Sequence, residues 1–536
     1  MTIACVQQTA FTERPWPSLS RDRVHSHWHT RVPNPTNAAV IDQATFDQLA
    51  AAGHNRIPVV REVLSDLDTP LSVYLKLADG PHTYLFESVE GGETWGRYSI
   101  IGLPAKRTYT FRGHQLDVRE HGEVVESRAL DDPFAEVEKI RAQFHVPRMP
   151  ELPAFTGGLV GYFGFETIGW IEPRLTDGAT PDEQRKPDQL GTPDALLMLS
   201  DELAVFDNLK GRLYLIVHAD PSQPQAYAKA RRRLDELVHR LRHSGRSYPD
   251  MLAPSALREE DFISGFTEEG YKAAVRTAQE AIRAGEVFQV VLSQRMSVPF
   301  HARPVDVYRA LRALNPSPYM YFLDLDGTQV VGSSPEILVR LKAGTVTVRP
   351  IAGTRRRGKT HDEDLALEAE LLADPKERAE HLMLIDLGRN DVGRVAVPGS
   401  VKVGEQFVIE RYSHVMHIVS EVTGTLREGL SYADVLKAAF PAGTVSGAPK
   451  IRALEIIREL EPIKRNIYAG AIGYIGWWGD ADTAIAIRTA VIHEGRLHVQ
   501  AGAGIVHDSD PQAEWNETMS KGRALFRAVA QAAEGL

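Results

Sequence analysis

Residues 471–506 read AIGYIGWWGDADTAIAIRTAVIHEGRLHVQAGAGIV, and this stretch decides the fold class. It contains three runs rich in Ile, Val and Ala that Gly and Asp separate, which predicts three consecutive β-strands. A helix follows, because Asp510 can cap it and Pro511 suits its first position. From residue 261 onward, strands and helices alternate without a GxGxxG motif or an internal repeat. The pattern predicts an α+β fold rather than a doubly wound parallel sheet.

The first half of the chain has a different pattern, which predicts mostly strands between residues 56 and 220. Short runs rich in β-branched and aromatic residues recur there, namely PLSVYLKL (70–77), HTYLFESV (82–89), RTYTFRG (107–113) and GRLYLIVH (211–218). A helix with apolar residues at three- and four-residue spacing follows over 227–241, and Pro249 and Pro254 then indicate a linker. The predicted divisions are a flexible segment (1–50), an N-terminal part (51–243), a linker (244–260) and a C-terminal part (261–536).

Composition and charge exclude several classes of protein. The 536 residues include 61 Lys and Arg against 71 Asp and Glu, and the net charge of −10 argues against a general nucleic-acid binder. No stretch without a charged residue is longer than 152–165, which is too short for the roughly 20 residues of a membrane-spanning helix. Cys5 is the only cysteine, which excludes an intrachain disulfide and a cysteine-ligated metal site. Because the N-terminus lacks a secretory signal, we expect a cytoplasmic enzyme or binding protein.

Two helices carry carboxylates that could hold a metal ion. Asp374 and Pro375 begin a helix that contains Glu380, and the last helix carries Glu517 and Lys521 on one face. Taken singly, Glu380 is an ordinary polar residue of an amphipathic helix, and Glu517–Lys521 is an exposed helix pair. If both carboxylates face one cavity, they form the sparse oxygen site that Mg²⁺ uses, with substrate or water oxygens completing the octahedron.

Glycine turns and one arginine could bind an anion. Three turns offer backbone donors, at Gly353-Thr354, at residues 443–450 (GTVSGAPK) and at residues 501–504 (AGAG). The second turn does not match the spacing of a nucleotide-binding loop, although Pro449 indicates a helix start behind it. Arg488 lies within the apolar run AIAIRTAVI, where a guanidinium needs a partner. Either a substrate carboxylate or an internal salt bridge would satisfy it.

Two further titratable residues have both a structural and a catalytic interpretation. His417 alternates with apolar residues in RYSHVMHIVS (411–420), so the pattern alone favours a core histidine over a catalyst. Glu336, in GSSPEILV (332–339), follows a proline turn and could be a turn carboxylate or an acid.

Nine segments in register resemble one known family. They are, in chain order, GEVFQVVLSQR, NPSPYMYF, GSSPEILV, PIAGTRRRG, EHLMLIDLGRND, RYSHVMH, GTVSGAPK, QAGAGIVHDSDP and EWNETMSKGRAL. Together they resemble the chorismate-utilising enzymes, and among these the anthranilate synthase large subunits (component I), over residues 55–530. The resemblance implies a large two-part β-sandwich with surrounding helices. It also implies that the active site lies in the C-terminal part and that the N-terminal part is regulatory.

The resemblance implies a set of site residues for chorismate and for Mg²⁺. Glu380 and Glu517 would hold the Mg²⁺ that binds the ring carboxylate of chorismate. The residues around the substrate would be Gly353, Thr354, Tyr468, Arg488, Gly502, Ala503, Gly504 and Lys521. The residues with catalytic roles would be His417, Glu336, Thr444 and Gln289. A dianionic substrate requires such a local excess of positive charge in an acidic protein.

The implied reaction aminates chorismate at C2 with loss of the C4 hydroxyl and then eliminates pyruvate to give anthranilate, the first committed step of tryptophan biosynthesis. Glu336 would protonate the leaving hydroxyl, His417 or a neighbouring group would take the C2 proton, and Thr444 would orient the substrate. Gln289 stands where isochorismate-forming relatives have a lysine that activates water. Ala352 stands where aminodeoxychorismate synthases have an attacking lysine. Both residues favour anthranilate formation over another chorismate-utilising activity, and the alternatives include an inactive regulatory homologue.

The resemblance implies two further binding partners besides chorismate. Glutamine hydrolysis needs a nucleophilic cysteine, and Cys5 lacks a glutaminase-like surrounding, so ammonia would come from a separate glutamine amidotransferase subunit. A heterotetramer of two large and two small subunits is implied. The second partner is L-tryptophan as feedback inhibitor, bound by YLFES (84–88) and NPSPYM (315–320). Its site residues would be Glu87, Ser88, Pro318, Tyr319 and Met320. Glu87 or backbone carbonyls would meet the ammonium group, beside an apolar wall for the indole.

Overall fold

The structure, a computed structural model, describes residues 41–78, 80–88, 96–176, 186–243, 256–412 and 415–536. The helices are α1 Gln43–Ala51, α2 Pro70–Leu77, α3 Pro133–Ala142, α4 Ala226–His243, α5 Glu268–Arg283, α6 Pro304–Leu314, α7 His361–Ala373, α8 Pro375–Gly393, α9 Tyr432–Ala439, α10 Lys450–Leu460 and α11 Pro511–Glu534. Residues 1–40 of the expected flexible segment and residues 244–255 of the expected linker lie outside this description. Helix α1 occupies the end of the segment that we expected to be flexible.

The strands are β1 Ile57–Leu64, β2 Thr83–Glu87, β3 Tyr98–Gly102, β4 Arg107–Arg112, β5 Gln115–Glu120, β6 Glu123–Ala129, β7 Gly158–Phe163, β8 Ala195–Ser200, β9 Glu202–Asp207, β10 Arg212–Ala219, β11 Ile263–Ser264, β12 Gln289–Pro299 and β13 Tyr319–Asp324. They continue with β14 Thr328–Ser334, β15 Ile337–Lys342, β16 Thr345–Val348, β17 Ile351–Arg356, β18 Lys402–Val403, β19 Val408–Arg411, β20 Val415–Val419, β21 Val422–Thr425, β22 Gly447–Ala448, β23 Ala471–Gly476, β24 Ala481–Ile485, β25 Thr489–His493 and β26 Arg496–Ile505.

Two large antiparallel sheets form a sandwich, which confirms the predicted α+β architecture. The first sheet has the order β1-β10-β9-β3-β2-β13-β14-β25-β26-β12-β11, with β22 also paired to β12. The second has the order β18-β21-β16-β15-β24-β23-β7-β8-β4-β5-β6, and a small third sheet has the order β17-β20-β19. Apolar residues of both large sheets, among them Tyr84 and Val160, form the core between them. The Tyr84 hydroxyl lies 2.7 Å from Ser200 Oγ across this interior.

In each large sheet, a block of strands from the N-terminal part is joined to a block from the C-terminal part. Glu87 of β2 pairs with Met320 of β13, and Gly161 of β7 pairs with Gly473 of β23. A Cβ at Gly161 would lie 1.9 Å from the Leu196 carbonyl oxygen, so the close approach of the neighbouring backbone requires a glycine here. The boundary between the two predicted parts therefore divides the sequence but not the sheets.

Helix caps predicted from the sequence are present, and one predicted strand is wrong. Asp374 and Asp510 accept hydrogen bonds from the first-turn amides of α8 and α11, as expected. Residues 70–77, predicted as a strand, form α2 instead. Thr69 and Ser72 make reciprocal side-chain bonds to each other's backbone N–H, at 3.0 and 3.1 Å, and Pro70 takes the first helical position. The β-branched and aromatic composition of this segment suggested a strand, but the cap and the buried helical face outweigh it.

Two places where the chain crosses between the large sheets position the site. The first crossing, at Glu336, joins β14 to β15, and the second, at residues 486–488, joins β24 to β25. The run AIAIRTAVI, predicted as one strand, is therefore two, because Arg488 takes a φ of +50°. Ile485 N donates to the Glu336 carbonyl at 3.0 Å, so the two crossings lie side by side. No described helix is long and apolar enough to span a bilayer.

Candidate active site

Glu336 presents a buried carboxyl group at the first crossing. Burial raises the pKa of Glu336 to about 8, although the nearby Thr444 hydroxyl and the Lys521 charge lower it in part. The Thr444 Oγ1 atom is itself buried and forms no hydrogen bond of acceptable geometry within the described part of the chain. Glu336 is therefore protonated at neutral pH and can act as a proton donor.

Arg488 presents a guanidinium group at the second crossing. Its side chain makes no hydrogen bond or ion pair with another described residue, so the internal salt bridge considered from the sequence is not found there. Burial lowers the pKa of Arg488, against the nearby Tyr468 and Glu517, which raise it. A half-buried guanidinium with free donors is suited to bind a carboxylate through two parallel hydrogen bonds.

Strands β17 and β20 hold His417 beside the predicted Gly353-Thr354 turn. His417 Nδ1 lies 2.9 Å from the Gly353 carbonyl oxygen and 3.1 Å from Thr354 Oγ1. Donation from Nδ1 to the carbonyl leaves Nε2 of the neutral ring as a proton acceptor. Burial lowers the pKa of His417, and the Arg488 charge adds to this effect while the bond to Gly353 opposes it. His417 is thus neutral at neutral pH and can act as a base.

Helices α8 and α11 bring the two predicted metal-binding carboxylates near each other. Burial raises the pKa of Glu380, and the charges of Glu377 and Glu517 raise it further, against Lys521. Carboxylates that repel each other provide a place for a cation. No cluster of three or more His, Cys, Asp or Glu side chains able to hold a metal occurs among the residues described. The pair Glu380 and Glu517 fits Mg²⁺, which takes most of its oxygens from substrate and water.

Lys521 connects helix α11 to strand β26. Its Nζ lies 2.7 Å from Glu517 Oε1 and donates to the Gly502 carbonyl at 3.0 Å. The predicted exposed pair Glu517–Lys521 exists, since the two side chains are 48% and 38% exposed. The Lys521 charge also lowers the pKa values of Glu336 and Glu380, so the same ammonium group lies near the predicted acid and near a predicted metal ligand.

Strand β26 brings glycines against Tyr468 and Gln289. A Cβ at Gly502 would lie 2.9 Å from the Tyr468 hydroxyl oxygen, and one at Gly504 would lie 2.5 Å from Gln289 Nε2. Ala503 is fully buried in the core, so its side chain is not available to a ligand. Strand β25 pairs with β26 no further than Val499, which leaves the following residues uncovered by β25 on one edge. The structure therefore brings all the predicted catalytic and substrate residues into one region.

Known proteins are similar to this chain in sequence and in fold. A family model described as chorismate binding enzyme matches residues 83–527. The chain belongs to this family. It is 57% identical to anthranilate synthase component 1 of Pseudomonas aeruginosa, over 92% of this chain and 100% of that protein. The corresponding protein of Aquifex aeolicus is 48% identical, over 90% of this chain and 96% of its own length.

Solved structures agree with the family assignment. The crystal structure of anthranilate synthase component I from Streptococcus pneumoniae superposes with a TM-score of 0.72 at 38% identity, over 86% of this chain and 98% of that one. The menaquinone-specific isochorismate synthase of Escherichia coli shares the fold at 19% identity, with a TM-score of 0.66 over 91% of this chain and 99% of that one. Chorismate-binding enzymes generally depend on Mg²⁺.

One supporting ion pair of this chorismate-binding enzyme carried no recognisable signal in the sequence. The donors of Arg465 reach Glu461 Oε1 and Oε2 at 2.5 and 2.8 Å, the Val445 carbonyl at 2.7 Å and the Val291 carbonyl at 2.8 Å. Its guanidinium carbon lies 5.6 Å from the centre of the Tyr468 ring. Arg465 thus fixes the 443–445 turn, strand β12 and Tyr468 relative to one another. Its spacing from Glu461, four residues, is also that of ordinary surface pairs on helices.

A cavity of about 420 Å³ between the two sheets of this chorismate-binding enzyme contains the residues predicted to bind tryptophan. All five predicted residues line it, but the side chains of Glu87 and Met320 make contacts on the other face of the first sheet. The Glu87 carboxylate accepts hydrogen bonds from the Tyr308 hydroxyl at 2.5 Å and from Arg312 Nε at 3.0 Å, on helix α6. Met320 pairs with Glu87 and packs in the core on the helix side of the sheet. Alternation along β2 and β13 thus turns both side chains away from the sandwich interior.

A larger cavity, of about 730 Å³, contains none of the predicted site residues. Its lining includes Lys106, Arg233 and Glu202. Lys106 and Arg233 both pair with Glu202, at 2.6 and 2.8 Å, so the charges of these three side chains largely compensate one another. Cavity size alone does not locate the active site in this chorismate-binding enzyme.

Proposed function

We propose that this chain is the large subunit of a cytoplasmic anthranilate synthase, which converts chorismate and ammonia to anthranilate and pyruvate. The observation that carries the proposal is the meeting of three groups at the two sheet crossings. These are the guanidinium of Arg488, whose side chain has no partner among the described residues, the protonated carboxyl group of Glu336 and the neutral imidazole of His417. An acid, a base and an anion-binding cation are what amination and elimination on a dicarboxylate require.

Substrate binding would use the positive charges of the site. Arg488 binds one carboxylate of chorismate through its free donors, with Tyr468 and Thr354 beside it. Glu380 and Glu517 would hold Mg²⁺, which would neutralise the charge of the ring carboxylate. Lys521 adds the positive charge of its ammonium group next to the edge of β26 that β25 does not cover.

Amination begins when ammonia attacks C2 of the ring, and the resulting C2-ammonium group loses one proton to solvent. Glu336 protonates the C4 hydroxyl, which leaves as water, and the ring double bonds shift. The Thr444 hydroxyl, which lacks a partner among the described residues, can hold the substrate beside this acid. Gln289 cannot act as a base, and ammonia needs none to become a nucleophile. Ala352, which is buried, cannot attack the ring as a lysine would, so the covalent route to aminodeoxychorismate is closed.

Elimination follows at the same carbon. His417 Nε2 takes the proton from C2, the ring becomes aromatic, and the bond to the enolpyruvyl oxygen breaks. The departing enolpyruvate then gains a proton on its methylene carbon and becomes pyruvate. The bond from His417 Nδ1 to the Gly353 carbonyl, 2.9 Å long, keeps Nε2 free for this step.

Ammonia would come from a separate glutamine amidotransferase subunit, and we propose a heterotetramer of two large and two small subunits. Cys5 is the only cysteine of the chain, and a glutaminase of this kind needs a cysteine nucleophile. The purified chain should therefore use ammonium salts and not glutamine. Glutamine-dependent product formation by this chain alone would contradict the proposed partner.

The proposed regulation is inhibition by L-tryptophan bound in the 420 Å³ cavity between the sheets. This volume lies in the range of small-molecule sites, about 300–1,000 Å³. Pro318 and Tyr319 offer an apolar wall, and because Glu87 is engaged by α6, backbone carbonyls would meet the ammonium group. The cavity is lined by both sheets, so a ligand there can bias how the sheets pack.

Anthranilate fluorescence tests the proposed reaction. The chain is mixed with chorismate, Mg²⁺ and an ammonium salt, and we expect fluorescence that EDTA abolishes. Glu380→Gln should also lose it, while Asp386→Asn, an exposed change on the same helix, should keep it. Isochorismate or aminodeoxychorismate as product would point to a sister enzyme, and the absence of any product would indicate an inactive homologue.

A further inference from the structure

A second, much smaller cavity lies behind the proposed acid. It has a volume of about 40 Å³, and Glu336 and Thr444 line it together with Leu387 and Asp391 of helix α8. A cavity needs only about 10–15 Å³ to hold one water molecule, so this one has room for water between Glu336 and α8. The cavity thus connects Glu336 to Asp391, a residue that no proposed step uses.

Two polar atoms at this cavity lack a well-formed hydrogen bond to the described residues, although the Thr444 hydroxyl lies near Glu336. Asp391 Oδ1 and Thr444 Oγ1 are both buried, and neither forms such a bond with another described residue. Buried polar atoms are nearly always satisfied, and where the protein does not supply the partner, an ordered water does. Together with the Glu336 carboxyl group, these atoms provide the two to four partners that a buried water requires.

The other oxygen of Asp391 belongs to a buried ion pair. Lys450 Nζ lies 3.0 Å from Asp391 Oδ2, and the two side chains are only 9% and 8% exposed. Such a pair contributes little to stability because desolvating both charges offsets their attraction. The other charges that face these groups are Arg394 near Asp391, Arg349 at the cavity wall and Lys521 near Glu336. Arg349 is paired with Glu410, at 2.6 Å.

We propose that the pair Asp391 and Lys450 returns a proton to Glu336 through water in this cavity after each turnover. The inference rests on the proposed function, in which Glu336 protonates the leaving C4 hydroxyl and becomes a carboxylate. A water held by Asp391 then gives a proton to Glu336 and takes one from Asp391, which receives the proton of the Lys450 ammonium group 3.0 Å away. Solvent restores the Lys450 proton, so one proton enters for each hydroxyl that leaves as water. Only O–H and N–H bonds form and break.

Comparing the first turnover with later turnovers tests this relay. Asp391→Asn keeps the size of the side chain and removes its charge. Because Glu336 starts protonated, we expect a single-turnover rate equal to that of the wild type and a steady-state kcat at least about tenfold lower, a difference of about 1.4 kcal/mol in barrier. A small diffusible acid such as imidazolium should restore part of the loss. Asp386→Asn, exposed on the same helix, should match the wild type in both measurements.

The outcomes separate the relay from a structural role and from the proposed function. Equal slowing of the first and later turnovers by Asp391→Asn would show that Asp391 only supports the fold, and unchanged rates in both would also overturn the relay. If this variant does not fold, Leu387→Phe, which fills the cavity without changing a charge, must show the same separation of rates, and its absence overturns the relay. Failure of the proposed function looks different, since the wild type would then make no anthranilate.

Discussion

Arg465 and Arg488 lie in the same region of the molecule and have opposite surroundings. Arg465 is 2% exposed, and its donors are engaged by Glu461, Val445 and Val291. Arg488 has no partner among the described residues. The difference teaches that one guanidinium holds the site together while the other is held ready for an anion. An unpaired buried cation costs free energy, and a fold retains it where a ligand completes it.

If Arg488 binds the substrate, replacing it should lower activity strongly. Arg488→Met removes the donors proposed for a substrate carboxylate, and two charge-assisted hydrogen bonds at about 1.5–3 kcal/mol each correspond to a loss of about 10²- to 10⁴-fold in kcat/KM. The melting temperature should stay within about 2 °C, because no internal partner is lost. Fluorescence assays and thermal unfolding measure the two effects. Arg496→Met, exposed at the edge of the same strand pair, is the control. Retained activity with a lower melting temperature would reverse the assignment of the two arginines.

The role of Glu336 as the acid predicts how kcat depends on pH. Its pKa is raised to about 8, so the acid is protonated below that pH, and kcat should fall as pH rises through it. The lowered pKa of His417 places loss of the base below its ordinary value of 6.5. Glu336→Gln should lower kcat by about 10²- to 10⁴-fold and remove the alkaline limb. Rates must be compared at a constant concentration of un-ionised ammonia. An unchanged alkaline limb in Glu336→Gln would assign it to another group.

The structural role of Arg465 is tested by its effect on stability. Arg465→Met leaves Glu461 buried without its partner, so the free energy of unfolding should fall by about 3–5 kcal/mol. Urea denaturation measures this loss. Replacing both residues, with Glu461→Leu added to Arg465→Met, should recover part of it, because removing both partners leaves no uncompensated charge. A variant Arg465→Met of wild-type stability would show that this pair does not hold the site together.

The smallest expected effect concerns the cavity between the sheets. Ser88→Phe places a ring in that space, so the concentration of tryptophan needed for half inhibition should rise at least about tenfold, or 1.4 kcal/mol in binding. The kcat without tryptophan should change little, since Ser88 lies outside the two crossings. Ser127→Phe, exposed on β6, is the control. Equal sensitivity of the wild type and Ser88→Phe would place the inhibitor elsewhere.

Local rules predicted the parts of the fold that depend on neighbouring residues. The caps at Asp374 and Asp510 needed only side chains within three residues of the helix start, and both are present. The apolar stripe of α4 predicted its buried face correctly, from Tyr227 to Leu241. The α+β class and the resemblance also gave the architecture. Residues 70–77 failed because composition was weighed above the cap that Thr69 provides.

Long-range pairing decided what the sequence could not show. The run around Arg488 looks like one strand, and only the pairing of β24 and β25 with different sheets makes it a crossing. The direction of Glu87 depends on which face of β2 meets α6, and alternation alone gives two equal choices. The sequence does not show which of Arg465 and Arg488 has partners within the protein. Their partners, such as the Val291 carbonyl, come from strands far away along the chain.

The joining of the two halves within both large sheets constrains how the chain can be made. A ribosome releases β2 long before β13 and β7 long before β23, yet each pair shares a ladder in the finished protein. Neither sheet can close until most of the chain has been synthesised, so folding waits while apolar strand edges stay exposed. The N-terminal half expressed alone would leave β2 and β7 each without one of its two neighbouring strands, and such exposed edges pair with other chains. Aggregation during synthesis is therefore the hazard that this architecture creates for the cell.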